Sequence, residues 1–238
     1  MRIIEHGPVD ELIATDQGYV LNPEIAEQVG ELFARLHGDG PLGGIVDCWP
    51  LDIGEHTPTD ESHQLGVFSV LRLAKALAEH DTGRTRLYLV TANTQPAPGT
   101  RLGVVEQAAI WGLGRVVGHQ ELPEHWGGLI DIDAADDPDD VAARIGEYLL
   151  GGSAEDQIAI RGASTFVPRL GPCRDLTRPF PTKLTPDATY VVTGGAGALG
   201  RVVATYLAER GARHITLVSR TAIPPRSRWS ALTEDDPH

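Results

Sequence analysis

A glycine-rich turn between an apolar strand and an amphipathic helix is the feature that most restricts how this chain can fold. Residues 190–192 predict a buried strand, and residues 198–210 predict a helix with one apolar face. That face consists of Leu199, Val202, Val203, Tyr206 and Leu207. Gly211 is expected to end the helix, and residues 214–218 predict the next strand. Residues 189–220 are therefore predicted to form the opening β-α-β unit of a dinucleotide-binding fold.

The spacing of Gly195, Gly197 and Gly200 in this turn has a specific physical purpose. One glycine allows a tight turn, a second lets a pyrophosphate approach the backbone, and a third lets the helix pack close to the strand. The free N–H groups at the helix N-terminus face the anion. We expect the phosphate-binding turn to comprise Thr193, Gly194, Gly195, Ala196, Gly197, Ala198, Leu199 and Gly200. A glycine-rich turn that binds nothing is the alternative.

The end of the second strand predicts which dinucleotide is bound. Asp or Glu at this position holds a ribose 2′-hydroxyl, whereas Arg accommodates a 2′-phosphate. Ser219 and Arg220 stand here, which favours NADPH over NADH. The alternative is an arginine that is merely solvated at a strand end.

Upstream, predicted strands alternate with helices, after 20 residues that show only a weak pattern. Helices are expected over residues 24–37, 61–80, 101–117 and 141–150, and strands over residues 44–49, 87–91, 128–133, 157–161 and 165–169. In the second helix the residues expected to face the core are Leu65, Phe68, Leu71, Ala74 and Leu77. The alternation predicts βαβ units and an α/β fold with a mostly parallel sheet.

A proline-rich segment without periodicity separates the two regions. It lies between Arg169 and Asp187, and proline both removes a backbone donor and biases its predecessor toward extended conformations. We therefore expect a first domain over residues 1–170, a linker over residues 171–187 and a second domain over residues 188–238.

The charge balance excludes two classes of partner. The chain has 33 acidic and 20 basic residues among 238, for a formal net charge of −13. Such a surface repels nucleic-acid phosphates and anionic membranes. No apolar run approaches the roughly 20 residues that span a bilayer. We expect a soluble chain with neither a nucleic-acid nor a membrane partner.

Cysteines and histidines indicate a reducing compartment and no metal site. Cys48 and Cys173 form no CxxC pair and the N-terminus shows no secretory signal, so we expect a cytoplasmic protein. No His or Cys spacing matches a metal site, and His119 and His125 are expected on the surface or a rim. The acidic run over residues 131–140 is expected to form solvated loops or a helix start.

In four blocks, the sequence resembles the ketoreductase domains of type I polyketide synthases, which belong to the short-chain dehydrogenase/reductase superfamily. The resemblance rests on TGGAGALG (193–200) with the strand ending at Arg220, and on three upstream blocks. Those blocks are GGIVDCWPLD (43–52), QAAIWGLGR (107–115) and ELPEHWGGLID (121–131). The resemblance implies a non-catalytic, Rossmann-like structural subdomain followed by the first β-α-β unit of a second, NADPH-binding Rossmann subdomain. Trp111 and Trp126 are expected to be core residues.

The resemblance also implies a reaction, the NADPH-dependent reduction of a β-ketoacyl chain on an acyl carrier protein in polyketide or fatty-acid-like biosynthesis. The family uses Tyr as proton donor with Ser, Lys and Asn, and none of this set can be assigned here. The residues four positions after the five tyrosines are Pro23, Ala92, Gly152, Gly194 and Arg210. The chain's two lysines, Lys75 and Lys183, both precede the cofactor turn.

We therefore expect a fragment of a polyketide synthase β-ketoacyl reductase, truncated at both ends, without catalytic residues and inactive alone. Its partners would be the rest of a polyketide synthase, which supplies the missing half, and the acyl carrier protein. Residues 185–238 are expected to be poorly stable alone, because the helix stripe and one sheet edge lack their usual neighbours. A non-catalytic scaffold or interaction module is the alternative. A complete enzyme of another class is disfavoured, since the chain has neither a Gly-x-Ser-x-Gly elbow nor a Gly-Lys-[Ser/Thr] phosphate loop.

Overall fold

A computed structural model describes residues 1–38, 40–80, 85–99, 101–172, 184–220 and 224–231, which fall into two compact units. Unit 1 is Met1–Leu170 and unit 2 is Gly171–His238. Each unit contains parallel strands joined through helices, so the predicted α/β class with a mostly parallel sheet is confirmed. Most of the predicted linker, with Cys173 and Lys183, lies outside the described residues.

Unit 1 begins with a small sheet of three strands that the sequence did not predict. These are β1 (Ile3–His6), β2 (Ile13–Ala14) and β3 (Gly18–Leu21), with β3 in the middle, parallel to β1 and antiparallel to β2. Strands of two to four residues are too short to show a period-two alternation of apolar and polar residues. The indole Nε1 of Trp49 donates to the Ile4 carbonyl over 3.0 Å, which ties β1 to the turn that follows the strand over Gly44–Asp47.

A five-stranded sheet forms the centre of unit 1. Its strands, in spatial order, are β4 (Gly44–Asp47), β5 (Arg86–Ala92), β6 (Trp126–Ile132), β7 (Gln157–Arg161) and β8 (Ser164–Phe166). The first four are parallel and β8 returns antiparallel to β7. The helices are α1 (Ala26–Gly38), α2 (Thr59–His63), α3 (Ser69–His80), α4 (Val105–Val116) and α5 (Pro138–Leu150).

The two faces of this sheet pack against different helices. On one face, Leu87 and Leu89 of β5 join the buried residues of α1, α3 and α4. On the other face, Val90 of β5 packs with apolar residues of β6 and β7 and with Ile145 and Tyr148 of α5. The side chain of Asp137 begins α5 by accepting from two backbone N–H groups of its first turn, as expected for part of the acidic run.

The prediction that Phe68 and Leu71 face the core was wrong. Their side chains are 42% and 41% exposed, whereas Val70 and Leu73 are buried. The cause is a π turn over Gln64–Phe68 between α2 and α3, whose hydrogen bonds span one residue more than those of an α-helix. It rotates the following residues out of phase with the regular period of about 3.6 residues.

The predicted exposure of His125 was also wrong. It was expected on the surface or a rim, but it is buried, and its Nδ1 lies 3.2 Å from the Thr85 carbonyl oxygen. His119 is exposed as expected and pairs with Asp156 at 3.3 Å. The prediction that Trp111 and Trp126 are core residues is confirmed, since both are buried.

Unit 2 contains the predicted β-α-β arrangement. Strand β9 (Thr189–Thr193) leads through the glycine turn to α6 (Ala198–Glu209), and β10 (His214–Val218) pairs with β9 in parallel. Gly211 takes a φ of +101°, and the next N–H, that of Ala212, donates to the Leu207 carbonyl over 3.0 Å to close the helix. In α6 only Gly200 is buried, so most of the predicted apolar stripe faces solvent. Among all the described residues, no helix is long and apolar enough to cross a membrane.

Candidate cofactor site

The glycine turn of unit 2 lies at the carboxyl ends of both its strands. Gly194 follows β9 with a φ of +68°, in the left-handed region that glycine enters without strain. The Gly195 N–H donates to the Val218 carbonyl at the end of β10 over 3.0 Å, and the Gly197 N–H donates to the Gly194 carbonyl over 2.9 Å. These bonds hold the turn between the two strands and the helix.

Close packing explains why glycine stands at the outer positions of the predicted motif. A Cβ atom on Gly195 would lie 2.6 Å from the Cβ of Leu217, and one on Gly200 would collide with the Gly194 carbonyl oxygen. A Cβ on Gly197 would meet only that same oxygen, at 3.2 Å. The first and third glycines are thus needed for the fold, while the second leaves open backbone beside the helix start.

The N-terminus of α6 offers free hydrogen-bond donors. Gly197 is the residue before the helix and carries no side chain to cap it, and the first helical bond runs from Arg201 N–H to the Gly197 carbonyl over 3.0 Å. The N–H groups of Ala198, Leu199 and Gly200 therefore have no acceptor within the helix. Such a terminus attracts an anion through its N–H groups and the helix dipole.

Ser219 and Arg220 lie at the same edge as the turn. In the parallel register Val218 pairs with Thr193, so Arg220 stands two residues beyond the level at which β9 ends. Both residues are exposed. The structure thus brings all ten predicted site residues to one edge of the two-stranded sheet. Gly195 and Gly200 are buried, Ala196 is half-buried and the other seven are exposed.

Unit 2 is also the less acidic part of the chain. Residues 171–238 contain nine Lys or Arg and six Asp or Glu, in a protein whose formal net charge is −13. Of these, Arg201 lies in the first turn of α6 and Arg220 lies past β10. Local positive charge at this edge suits a phosphate-bearing ligand.

In unit 1, protein side chains fill the space at the carboxyl ends of the parallel strands. The Asp131 carboxylate at the end of β6 is fully buried and accepts from the Arg161 guanidinium at 2.5 Å. It also accepts from the Thr91 hydroxyl at 2.7 Å and from the Thr94 hydroxyl at 2.6 Å. Arg161 in turn donates to the Asp131 backbone carbonyl over 2.9 Å. The acidic-run prediction was wrong for Asp131, because this arginine and these hydroxyls make burial of its charge possible.

The segment after β4 also differs from a phosphate-binding turn. Burial raises the pKa of Asp47 to about 7, against the lowering effects of the Trp49 N–H and the charge of His6. Its Oδ1 accepts from that N–H over 3.2 Å, and its buried Oδ2 has no hydrogen-bond partner. Burial and the carboxylates of Asp47 and Asp52 raise the pKa of Cys48 to about 11, so its thiol stays protonated near neutral pH.

The tyrosines with described hydroxyl contacts do not form a catalytic set. Tyr148 donates to the Glu155 carbonyl over 2.6 Å, and burial, followed by nearby Tyr88, Asp156 and Glu155, raises its pKa to about 12. A hydroxyl held in this way is a poor proton donor near neutral pH. In unit 2 the Tyr190 hydroxyl accepts from the Thr185 N–H at 2.6 Å. Among the described residues, no three His, Cys, Asp or Glu side chains gather as a metal site.

Two known families match the chain, one on each side of the proline-rich segment. The family described as "Polyketide synthase extender module SpnB, Rossmann fold domain" matches residues 13–170. The KR domain family matches residues 188–235.

Similar proteins are large synthases. The chain is 39% identical over 247 residues to erythronolide synthase EryA3 of Saccharopolyspora erythraea. This match covers 87% of this chain and 8% of that protein. It is 34% identical over 255 residues to polyketide synthase GfsB of Streptomyces halstedii, covering 98% of this chain and 4% of that protein. The chain therefore spans less than a tenth of each of these relatives.

The fold of the chain also matches a solved ketoreductase structure. The structure described as "Structure of A-type Ketoreductases from Modular Polyketide Synthase" matches with a TM-score of 0.64 and 30% identity. The match covers 92% of this chain and 49% of that one. The chain thus corresponds to about half of a solved ketoreductase.

Proposed function

Because this chain belongs to the ketoreductases of type I polyketide synthases, we propose that it is the NADPH-binding part of a β-ketoacyl reductase. The observation that carries this proposal is the arrangement at one sheet edge of three features. They are a glycine turn that cannot accept a Cβ at Gly195 or Gly200, an uncapped helix N-terminus, and Arg220. An arginine at the same edge as an uncapped helix start suits a phosphate-bearing ligand, and a turn that bound nothing would not need it.

The residues at this edge fit the phosphate groups of the cofactor. The N–H groups at the start of α6 would bind the pyrophosphate, which approaches over the open backbone at Gly197. Ser219 and Arg220 would bind the 2′-phosphate, and Arg220 would thereby select NADPH over NADH. When bound, NADPH supplies the hydride for carbonyl reduction. Ketoreductase domains and related Rossmann folds generally bind NAD(P)H, which supports the assignment of a dinucleotide.

The substrate proposed for the complete enzyme is a β-ketoacyl chain carried on an acyl carrier protein. No tyrosine of this chain is followed at the fourth position by Lys or Asn, and both lysines precede the cofactor turn. We propose that the Tyr, Ser, Lys and Asn of the family come from the rest of a polyketide synthase, so the chain alone is inactive. The large synthases among its relatives support this module context.

The domain roles belong to the same proposal. Residues 1–170 would be a non-catalytic structural subdomain, residues 171–187 a linker, and residues 188–238 the start of the NADPH-binding catalytic subdomain. The filled strand ends around Asp131 and Arg161 support a role for unit 1 without cofactor binding. A cytoplasmic location is proposed from the two cysteines without CxxC spacing.

The filled strand ends also favour a second candidate, a non-catalytic scaffold within a polyketide synthase with a vestigial glycine turn. Cofactor binding and turnover separate the two. We expect the full chain to bind NADPH but not to oxidise it with a β-ketoacyl thioester. Addition of a polypeptide that carries the catalytic Ser, Tyr, Lys and Asn of the family should start oxidation. A chain that fails to bind NADPH and fails to complement would support the scaffold.

A further inference from the structure

One arginine of α6 stands at the end of the helix where the dipole disfavours a cation. Arg201 is the fourth residue of α6, and the first turn, residues 198–201, contains no acidic residue. The partial positive charge of a helix N-terminus attracts anions and repels cations. Natural proteins break such local rules mainly at functional sites. The position of Arg201 therefore calls for an explanation.

Contacts within the protein explain another arginine of the same helix but not Arg201. The Arg201 side chain is exposed, and within the part of the chain that the structure describes its guanidinium makes no ion pair, hydrogen bond or ring contact. Arg210 follows the last residue of α6, where the dipole favours a cation. Its guanidinium carbon lies 4.2 Å from the centre of the Tyr206 ring. Arg210 thus stabilises the helix, whereas the position of Arg201 suits a ligand with negative charge.

Helical geometry directs Arg201 toward the open side of the glycine turn. Residues four apart lie above one another on a helix, so Arg201 shares a face with Gly197. The Cα–Cβ bonds of a helix tilt toward its N-terminus, so a long side chain covers the turn that precedes its own residue. Here Gly197 has no side chain to fill that space, and even a Cβ on it would meet only the Gly194 carbonyl oxygen, at 3.2 Å.

From these observations we propose that Arg201 binds the pyrophosphate of the dinucleotide, beside the free N–H groups of Ala198, Leu199 and Gly200. The proposal rests on the proposed function, because it assigns a further residue to the same site. A guanidinium presents its N–H donors in a planar fork that matches the oxygen atoms of a phosphate. The bound anion would also offset the repulsion between Arg201 and the helix dipole.

This assignment gives the two arginines of the site different roles. The pyrophosphate is common to NADPH and NADH, whereas only NADPH carries the 2′-phosphate proposed for Arg220. Arg201 then sets the affinity for both cofactors, and Arg220 sets the preference between them. An equal loss of affinity for the two cofactors is therefore the signature of Arg201.

The test is calorimetric titration of the full chain with NADPH and with NADH, for the wild type, Arg201→Gln and Arg210→Gln. Both variants remove one positive charge from the same helix, so general electrostatic effects are matched. We expect Arg201→Gln to bind each cofactor roughly tenfold more weakly, because it loses a charge-assisted hydrogen bond. Arg201→Lys keeps the charge without the fork and should recover part of this loss. Arg210→Gln should bind both cofactors as the wild type does.

Trypsin digestion without cofactor separates binding from a role in folding. Cleavage after Arg213, a site that both variants retain, measures opening of unit 2. Arg201→Gln should be cut there no faster than the wild type, because removing a cation from a helix N-terminus does not weaken the helix. Arg210→Gln should be cut faster, because it loses its contact with the Tyr206 ring.

The outcomes distinguish this proposal from the proposed function. Wild-type affinity of Arg201→Gln for both cofactors would overturn the role of Arg201 and leave the proposed function standing. So would a loss for NADPH alone, or a loss accompanied by faster cleavage after Arg213. A wild-type chain that binds neither cofactor would overturn the proposed function and the role of Arg201 together.

Discussion

The backbone N–H of Gly195 donates a hydrogen bond to the carbonyl oxygen of Val218 over 3.0 Å. This bond joins the cofactor turn to the end of β10, two residues before Arg220. The part of the site proposed for the pyrophosphate and the part proposed for the 2′-phosphate are therefore held by the same backbone contact. A change in the turn should therefore alter the contacts to both the pyrophosphate and the 2′-phosphate.

Replacement of Gly200 by alanine should weaken NADPH binding at least tenfold. The added Cβ would collide with the Gly194 carbonyl oxygen, so α6 must move away from the turn and its N–H groups must leave the anion site. A fluorescence titration of NADPH measures the effect. Gly146→Ala is the matched control, because its Cβ lies in open space in another helix. It should leave binding unchanged, and equal losses in both variants would contradict this account of Gly200.

Replacement of Arg161 by methionine should destabilise unit 1 by about 3 kcal/mol, because the buried Asp131 carboxylate loses its counter-charge. Urea unfolding followed by circular dichroism measures this loss. Arg169→Met breaks an ion pair with Glu155 in which both side chains are exposed, so it should cause no measurable change. If the two variants unfolded at the same urea concentration, the Asp131–Arg161 pair would not matter for stability.

Replacement of Asp47 by asparagine should stabilise unit 1 above pH 7. Burial raises the pKa of this carboxyl from 3.8 to about 7, so the folded chain keeps a proton that the unfolded chain has already lost. The free energy of unfolding therefore falls as the pH rises from about 4 to about 7. Asparagine keeps the acceptor for the Trp49 N–H without the charge, and the expected gain at pH 8 is on the order of 2–4 kcal/mol.

Asp133 is a suitable comparison because its pKa is shifted in the opposite direction to that of Asp47. The Ala135 N–H and the Asn93 side chain hold its pKa below the usual value, so Asp133→Asn should not stabilise the protein at pH 8. Unfolding at pH 4 and pH 8 separates the cases, since Asp47→Asn should match the wild type at pH 4. An Asp47→Asn variant less stable than the wild type at pH 8 would contradict the prediction.

The exposed stripe of α6 predicts that unit 2 is cleaved before unit 1. Leu199 is 76% exposed and Val202 is 65% exposed, so this helix buries little apolar area to hold its fold. Brief trypsin digestion should cut first near Arg201 and Arg210, and NADPH should slow these cuts by binding the folded form. A C-terminal region that resists trypsin completely in the absence of cofactor would show that this prediction is wrong.

The elements with strong local signals were predictable from the sequence. Helix α1 and strands β5, β7 and β10 lie within two residues of their predicted bounds, and the glycine turn stands between the predicted strand and helix. Each of these segments has a clear apolar period or a glycine that its backbone requires, such as Gly194 or Gly211 with positive φ. Local chemistry decided these features, so local pattern was sufficient.

The features that were missed depend on contacts distant in sequence or on a break in period. The buried position of Asp131 depends on Arg161, 30 residues away, and local reasoning placed it in solvent. The π turn before α3 left Phe68 and Leu71 exposed because it interrupts the period on which the core assignment rested. Asp47 ends a strand that was predicted, but its neighbours in sequence give no sign that its buried Oδ2 lacks a hydrogen-bond partner.

Selection of NADPH by Arg220 is measured by calorimetric titration of the full chain with NADPH and with NADH, for the wild type, Arg220→Ala and Arg213→Ala. Arg213 is a suitable control because it precedes β10 and so lies at the opposite end of that strand from Arg220. We expect the wild type to bind NADPH more tightly than NADH. We also expect a roughly 10- to 100-fold loss of NADPH affinity in Arg220→Ala, because a charge-assisted contact is worth about 1.5–3 kcal/mol. Arg213→Ala should bind both cofactors as the wild type does. Equal wild-type affinity for the two cofactors, no binding of either, or an Arg220→Ala variant with unchanged NADPH affinity would show that Arg220 does not bind the 2′-phosphate of NADPH.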